Sequence, residues 1–412
     1  MRAEIVSVGT ELLLGQITDT NATFLAQLLA LHGIDVLFKQ TVGDNIDRVR
    51  GAVELALSRS DVVLVTGGLG PTEDDLTAEA VALAAGVPMV LDQSVADSIK
   101  AFFEQRRRAA PDSVYRQARV PAGSQIIPNR RGTAPGLIVS VGARTIFMFP
   151  GVPREMEGLV ADGLAPWLQA RTSGLVIRSR VLRIAGLGES VVEERVRDLI
   201  HEANPTVAPL AKVGEVHLRI TTKARPDEAA QMIARVEAGL RARLGDAVFG
   251  VDDETLHEVT ARLLSERRKT LAVAESCTGG MIAARLTDVP GSSAYMLVGF
   301  VAYGNEAKVR DLNVPAELIA DHGAVSAPVA EAMARGARER AGADLGLGVT
   351  GIAGPGGATA EKPIGLVYMS IVTDARARTE ELRFGEQGGR HGIRHLATQS
   401  ALNLIRLTLL RP

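Results

Sequence analysis

The sequence predicts an α/β chain of three parts: a parallel-sheet domain, a small α+β module and a second α/β domain. Short β-branched and aliphatic runs alternate with runs of helical periodicity. Gly-rich turns such as Gly67-Gly68-Leu69-Gly70-Pro71-Thr72 separate them. The 412 residues also exceed the roughly 250–300 that a single core holds.

Composition narrows the function classes. Aromatics are only 3% of the chain and the net charge is −2, so neither base-stacking platforms nor electrostatic attraction to DNA or acidic membranes is expected. Cys277 is the single cysteine, which rules out an internal disulfide and suits a reducing compartment. The amino terminus reads directly as a strand without a signal-peptide pattern, and no apolar run is long enough to span a bilayer. A soluble cytoplasmic protein is expected.

Residues 3–8 read as a buried strand ending at Gly9-Thr10-Glu11. Capping residues Thr18-Asp19-Thr20-Asn21 precede a helix over 22–31 that Gly33 closes. A strand over 35–42, an amphipathic helix over 45–60 and a buried strand over 61–66 follow. The Gly67–Thr72 turn then leads to a helix over 74–85. This alternation implies a parallel sheet with helices on both faces and ligands at the carboxyl ends of its strands. Glycines let a backbone approach a phosphate, and Glu73-Asp74-Asp75 offers carboxylates for a bridging divalent metal. The same acids also suit a helix N-terminus. A basic turn, Arg130-Arg131-Gly132-Thr133, precedes a strand over 145–149 that ends in Pro150-Gly151-Val152-Pro153-Arg154-Glu155-Met156.

Gly-Thr-Glu-Leu-Leu-Leu-Gly with Thr-Asp-Thr-Asn, then Thr-Gly-Gly-Leu-Gly-Pro-Thr-Glu-Asp-Asp, then Phe-Pro-Gly-Val-Pro-Arg-Glu-Met, resembles the amino-terminal domain of the competence/damage-inducible protein A (CinA) family. The resemblance covers residues 1–170. It implies a molybdopterin-binding-like fold and metal-dependent hydrolysis of ADP-ribose to AMP and ribose 5-phosphate. It puts a phosphate loop at Gly67, Gly68, Gly70 and Thr72, a divalent metal at Asp74 or Asp75, and further substrate contacts at Glu11, Asp19 and Asn21. Molybdopterin binding and adenylylation use similar loops and form the rival reading.

The first domain ends near Trp167, and residues 171–174 read as a linker. A strand over 176–184, a helix opened by Gly186-Leu187-Gly188-Glu189-Ser190 and running to 201, a half-buried strand over 215–222 and a helix over 226–244 make the middle module. Its Gly-Leu-Gly invites a nucleotide-binding reading, but the six-residue dinucleotide fingerprint is absent. Residues 171–250 resemble the KH-like connecting domain of the CinA family, without the Gly-x-x-Gly clamp of RNA-binding KH domains.

Residues 251–412 form the third part. Asp252 to Thr255 cap a helix over 256–266. A strand over 270–273 runs into Ala274-Glu275-Ser276-Cys277-Thr278-Gly279-Gly280 and a helix from Met281. There Ser276 or Thr278 either caps the helix or takes part in chemistry. A strand over 296–302 ends at Tyr303-Gly304-Asn305-Glu306-Ala307-Lys308, with Asn305 as N-cap and Lys308 in the first turn. Such a lysine either points into solvent or, in a dry pocket, loses its charge and becomes a base. A strand over 346–350 leads to the glycines from Gly351 to Gly357, which suit either a close ligand or a flexible turn. The last elements are a strand over 364–372 and, after Gly388-Gly389-Arg390 and Arg394, a helix ending near 410.

Ala-Glu-Ser-Cys-Thr-Gly-Gly, Tyr-Gly-Asn-Glu-Ala-Lys, His-Gly-Ala-Val-Ser and Gly-Ile-Ala-Gly-Pro, in that order, resemble the carboxyl-terminal domain of CinA. That domain is similar to nicotinamide mononucleotide amidohydrolases. The resemblance implies a metal-free serine amidase with Ser276 as nucleophile and Tyr303 and Lys308 as its activating pair. Thr278, Gly279, Gly280, Gly351, Gly354 and Arg390 are expected to bind substrate. Gly389 departs from the family pattern, which commonly has Asp there, and this bears on contacts expected of Arg390 and Arg394. Cys277 reads as a packing residue. The expected protein is a homodimeric, bifunctional hydrolase of pyridine nucleotide salvage, with a non-catalytic regulatory role in competence as the alternative.

Overall fold

The computed structural model describes residues 1–172, 174–386 and 388–411. Ser173, within the expected linker, lies outside them. The chain divides into two compact units, residues 1–178 with 222–232, and residues 179–221 with 233–412.

The first unit holds strands β1 (Arg2–Val8), β2 (Asp35–Val42), β3 (Val62–Thr66), β4 (Met89–Leu91), β5 (Arg119–Pro121), β6 (Gln125–Ile127), β7 (Gly136–Val141) and β8 (Arg144–Phe149). Six of them form a sheet ordered β2-β1-β3-β8-β7-β6. β2, β1, β3 and β8 are parallel as expected, while β7 and β6 add an antiparallel edge. That edge is a hairpin of short runs, which carry no crossover helix to announce them. Successive residues of β3 serve opposite cores. Val63 and Val65 pack with Val49, Val53 and Val81, whereas Val62 and Leu64 pack with Leu25, Leu29 and Leu164. Helices therefore cover both faces of the sheet.

The helix expected from residue 74 begins at Thr77. The turn that delays it is held by the Thr72 amide, which donates to Asp75 Oδ2 at 2.9 Å. Glu73, Asp74 and Asp75 thus belong to a loop and do not decorate a helix start.

The second unit contains two sheets, except for residues 176–178 and 222–224 at the strand ends of the first of them. β9 (Val176–Ile184), β10 (Thr206–Lys212), β11 (Glu215–Ala224) and β12 (Val248–Val251) form one, ordered β10-β11-β9-β12. Two of its strands escaped the sequence reading. β10 is an edge strand carrying Pro209, a residue that argues against a strand unless it lies at an edge, and β12 is only four residues long. Ala185 and Phe249 from this sheet join one core with Leu256, Leu271, Leu402 and Ile405. This shared core explains why the middle sheet packs as part of the second unit.

β13 (Leu271–Glu275), β14 (Met296–Val301), β15 (Leu345–Gly351), β16 (Leu366–Val372) and β17 (Ala377–Arg383) form the other sheet, ordered β14-β13-β15-β16-β17. β14, β13 and β15 are parallel, and β16 and β17 are antiparallel to their neighbours. Helix Ala327–Ala341 lies so close to β15 that a Cβ at Gly348 would collide with the Ala330 carbonyl. Arg390 and Arg394 do not precede the last helix; they lie inside it, at Gly389–Leu410. Among the described residues no helix is long and apolar enough to cross a membrane.

Candidate functional site

Ser276 follows β13 directly, and its amide donates to the Val349 carbonyl at 2.9 Å, extending the ladder with β15 by one bond. The serine is therefore held at the carboxyl edge of the sheet. Lys308 reaches it from helix Asn305–Leu312, whose N-cap is Gly304 rather than the expected Asn305. The lysine is 1% exposed, which excludes the solvent-facing alternative. Its Nζ lies 3.2 Å from Ser276 Oγ, 3.0 Å from the Ala302 carbonyl and 3.1 Å from the Tyr303 carbonyl.

Burial pushes the Lys308 amine below its ordinary 10.5, because the charged form loses water and gains no carboxylate. A neutral amine has two N–H groups and one lone pair. In that form, with its two hydrogens on the two carbonyls, the lone pair would face the serine hydroxyl. That is the geometry a general base needs.

The phenol of Tyr303, expected to act with Lys308, bonds to Arg390. Its side chain is 58% exposed, and its hydroxyl accepts from Arg390 Nη2 at 2.7 Å, while Arg390 Nη1 donates to the Gly354 carbonyl at 2.7 Å. The tyrosine meets Lys308 through its main chain only. Arg394 Nη2 donates to the Thr278 carbonyl at 2.8 Å. The departure at Gly389 thus leaves both arginines on the loops around Ser276.

Glu275 is the residue the sequence reading missed. Its carboxylate accepts from the amides of Gly280 at 3.0 Å, Ile282 at 3.1 Å and Ala283 at 2.8 Å. The N-cap of helix Met281–Thr287 is Gly280, which has no side chain for the role, so the cap comes from the end of the preceding strand. An acid at the end of a strand, in a loop whose last residues before the helix are the cap-less Gly279-Gly280, was the available signal. Neither Ser276 nor Thr278 caps this helix. The Gly279 amide also donates within the loop, to the Ser276 carbonyl at 3.1 Å. Holding a phosphate or oxyanion on Gly279 or Gly280 would mean giving up these bonds. Glu275→Ala is expected to lower unfolding free energy by about 3 kcal/mol, since it orphans buried donors to a charged acceptor. Urea denaturation would measure it, and an unchanged midpoint would refute this account of the cap.

Thr278 is fully buried, and its Oγ1 meets no partner among the described residues. Gly351 owes its lack of a side chain to the protein itself: a Cβ would press on Val367, the Leu366 carbonyl and Cys277 Sγ. Cys277 is 5% exposed and its thiol is pushed up to about 12 by burial, so no thiolate is available near neutrality.

In the first unit a cleft of ≈ 410 Å³ opens beyond the carboxyl ends of β1, β3 and β8. Gly67, Gly68, Gly70, Thr72, Glu11, Asp74 and Asp75 line it, with Thr133 and Glu155 from the two turns noted above and with Asp44 and Gln117, which the sequence reading did not single out. Gly67, at φ +99°, has no room for a Cβ beside the Val8 carbonyl, and its amide donates to the Phe149 carbonyl at 3.0 Å. Asp19 and Asn21 are absent from this lining and bond to neighbouring segments. Asp19 accepts from Ser7 Oγ at 2.6 Å and from the Ala22 amide at 2.8 Å, and Asn21 Nδ2 donates to Thr66 Oγ1 at 3.0 Å and the Gly151 carbonyl at 2.8 Å. Gln117 Nε2 donates to the Leu69 carbonyl at 2.9 Å, which fixes the amide and leaves its buried Oε1 without a partner among the described residues.

Thr72 Oγ1 lies 2.5 Å from both Asp74 Oδ1 and Asp75 Oδ2. One hydroxyl has one proton, so it satisfies only one of the two carboxylates. The Thr72 hydroxyl holds Asp74 below the usual carboxylate range. Three hard oxygen donors with a deficit of positive charge fit a divalent cation that takes its remaining ligands from water and phosphate. Among the described residues no group of three or more His, Cys, Asp or Glu side chains converges on such a point.

Three family descriptions match the chain end to end: "Probable molybdopterin binding domain" over residues 4–170, "Damage-inducible protein CinA KH domain" over 179–250 and "CinA C-terminal domain" over 253–409. A competence-damage inducible protein of Moorella thermoacetica is 50% identical over 409 residues, 98% of each chain. A CinA-like protein of Dictyoglomus thermophilum is 48% identical over 412 residues, the whole of both chains. Among solved structures, a competence/damage inducible protein from Agrobacterium tumefaciens is 40% identical, with a TM-score of 0.36, over 38% of this chain and 98% of its own.

Proposed function

The chain belongs to the CinA family of competence-damage inducible proteins, and from that premise we propose that it is a bifunctional hydrolase of pyridine nucleotides. The Ser276 site would convert nicotinamide mononucleotide and water to nicotinate mononucleotide and ammonia. The first-unit cleft would hydrolyse ADP-ribose to AMP and ribose 5-phosphate. The observation that carries the first activity is Lys308, buried, without an ion-paired carboxylate among the described residues, 3.2 Å from Ser276 Oγ.

In the deamidation, Ser276 Oγ attacks the carboxamide carbon as its proton passes to Lys308 Nζ. The C–N bond breaks, and Lys308 returns the proton to the leaving ammonia. Water, deprotonated by the same amine, then attacks the acyl-serine carbon and releases the carboxylate and Ser276. Arg390 and Arg394 would meet the substrate phosphate through the N–H groups that their protein bonds leave free. No metal enters this scheme.

In the cleft, Asp74, Asp75 and Thr72 would hold a divalent cation. Bound there, it supplies charge neutralisation on the pyrophosphate oxygens and a more acidic water. Glu11, Asp44 and Glu155 are the carboxylates of the cleft wall that remain for proton transfer, and Gln117 Oε1 would accept from a hydroxyl or amino group of the nucleoside. Pterin binding with adenylylation, and no phosphate-ester release from ADP-ribose, would favour the molybdopterin reading instead.

Ammonia and nicotinate mononucleotide measured after incubation with nicotinamide mononucleotide test the first activity. The rate is expected to rise with pH through a limb lying below 10.5, the ordinary lysine value, because the base works only when neutral and burial shifts that point downward. Product formation absent across the whole pH range would sink the proposal. Retained DNA affinity at physiological salt would favour a competence-associated binding role.

A further inference from the structure

Within the second unit a cavity of ≈ 350 Å³ lies outside the Ser276 loops. One wall is the Gly186-Leu187 turn, part of the Gly-Leu-Gly stretch for which the proposed chemistry has no use. The facing wall is the final helix, Gly389–Leu410, presenting Ser400 and Arg406, with Arg378 and Arg411 also lining the space.

Arg406 is only 2% exposed. Its Nε and Nη2 donate to Asn403 Oδ1 at 3.1 and 2.8 Å, and Nη2 also donates to the Asp246 carbonyl. These bonds occupy three of the five N–H donors of a guanidinium. Among the described residues Nη1 makes no hydrogen bond, and Arg406 lines the cavity.

Every partner of Arg406 is neutral. The acids of the wall are Asp246 and Glu380, and each is already paired, Asp246 Oδ2 with Arg411 at 2.5 Å and Glu380 Oε1 with Arg378 at 2.6 Å. Among the described residues no carboxylate lies within ion-pair distance of Arg406. The Asp246 carboxylate, already taken up by Arg411, only partly offsets the cost of burying this charge, and the loss of water pushes the guanidinium down to about 10. An anion entering the cavity would remove that cost, and a guanidinium edge matches the geometry of a carboxylate or phosphate.

We propose that this cavity binds a small phosphate- or carboxylate-bearing molecule, with its anionic group on Nη1 of Arg406 and with Arg378 and Arg411 beside it. The cavity volume suits a small metabolite. The site is separate from both proposed hydrolytic centres.

The test uses the full chain, titrated with inorganic phosphate or with citrate against chloride at matched ionic strength, followed by calorimetry and thermal unfolding. Saturable binding of at least one probe is expected, with a raised unfolding temperature. Arg406→Gln should weaken it about tenfold or more, the loss of a charge-assisted contact. Ser400→Glu leaves Arg406 and its protein bonds in place but puts an acid in the wall, and it should weaken binding comparably. That variant keeps the test valid if Arg406→Gln does not fold. A preference for phosphate or for citrate would identify the class of ligand. No saturable effect beyond chloride would overturn the proposal. So would binding that is unchanged in the variants that fold, because the anion would then sit in other loops.

Discussion

Ser276→Ala is expected to lower ammonia release from nicotinamide mononucleotide by about 10⁴-fold or more, because it removes the only atom that forms the acyl intermediate. Lys308→Ala should cost a similar factor. Nucleophile and base act as a unit, so the double variant should be hardly slower than either single one. A factor of 10⁴ corresponds to about 5.5 kcal/mol of transition-state stabilisation. Truncating a buried lysine also empties space in the core, so circular dichroism should accompany the assay. Small primary amines added to Lys308→Ala are expected to restore part of the rate if the lysine supplies a base. Near wild-type turnover in Ser276→Ala would remove the serine mechanism. Failure of the amines, with the fold intact, would leave Lys308 a structural residue. Tyr303→Phe separates the two parts of that residue: the carbonyl that holds Lys308 remains and only the Arg390 bond is lost, so a modest change concentrated in KM is expected.

Asp74→Asn and Asp75→Asn should each lower ADP-ribose hydrolysis by about 10²-fold and weaken divalent-cation binding measured by titration calorimetry. The reason lies at Thr72, whose single hydroxyl proton is shared between two carboxylate oxygens 2.5 Å away. Neutralising either acid removes the charge deficit that a cation would fill. A chelator should abolish hydrolysis, and added magnesium or manganese should restore it. The two variants should leave the Ser276 activity unchanged, as the two centres lie in separate units. Wild-type metal affinity in both would reassign the cation to other carboxylates of the cleft, Asp44 and Glu155 foremost.

Much of this protein could be read directly from the chain. Apolar runs placed the parallel strands β1, β3, β8, β13 and β15, because a strand buried on both faces must be apolar throughout; the alternation of strand and helix placed β2 and β14, which are exposed edges. The Gly-rich turns marked where those strands end, and in a parallel sheet that is where ligands gather. Edge strands were the chief losses. β17, Ala-Arg-Thr-Glu-Glu-Leu-Arg, is half charged, and nothing in such a run distinguishes a solvated edge from a helix face.

What tertiary structure alone decided is the state of each functional group. Lys308 and Ser276 are 32 residues apart, and no local pattern says that β14 brings them together or that the amine is buried. Burial makes Lys308 a candidate base, whereas the same lysine in water would stay charged. Folding also gave Glu275 the capping role, moved the phenol of Tyr303 outward to Arg390 and bonded Asp19 and Asn21 to neighbouring segments. Residue types and spacing determine which chemistry is available; desolvation and long-range hydrogen bonds, which exist only once the chain is packed, determine which residue performs it.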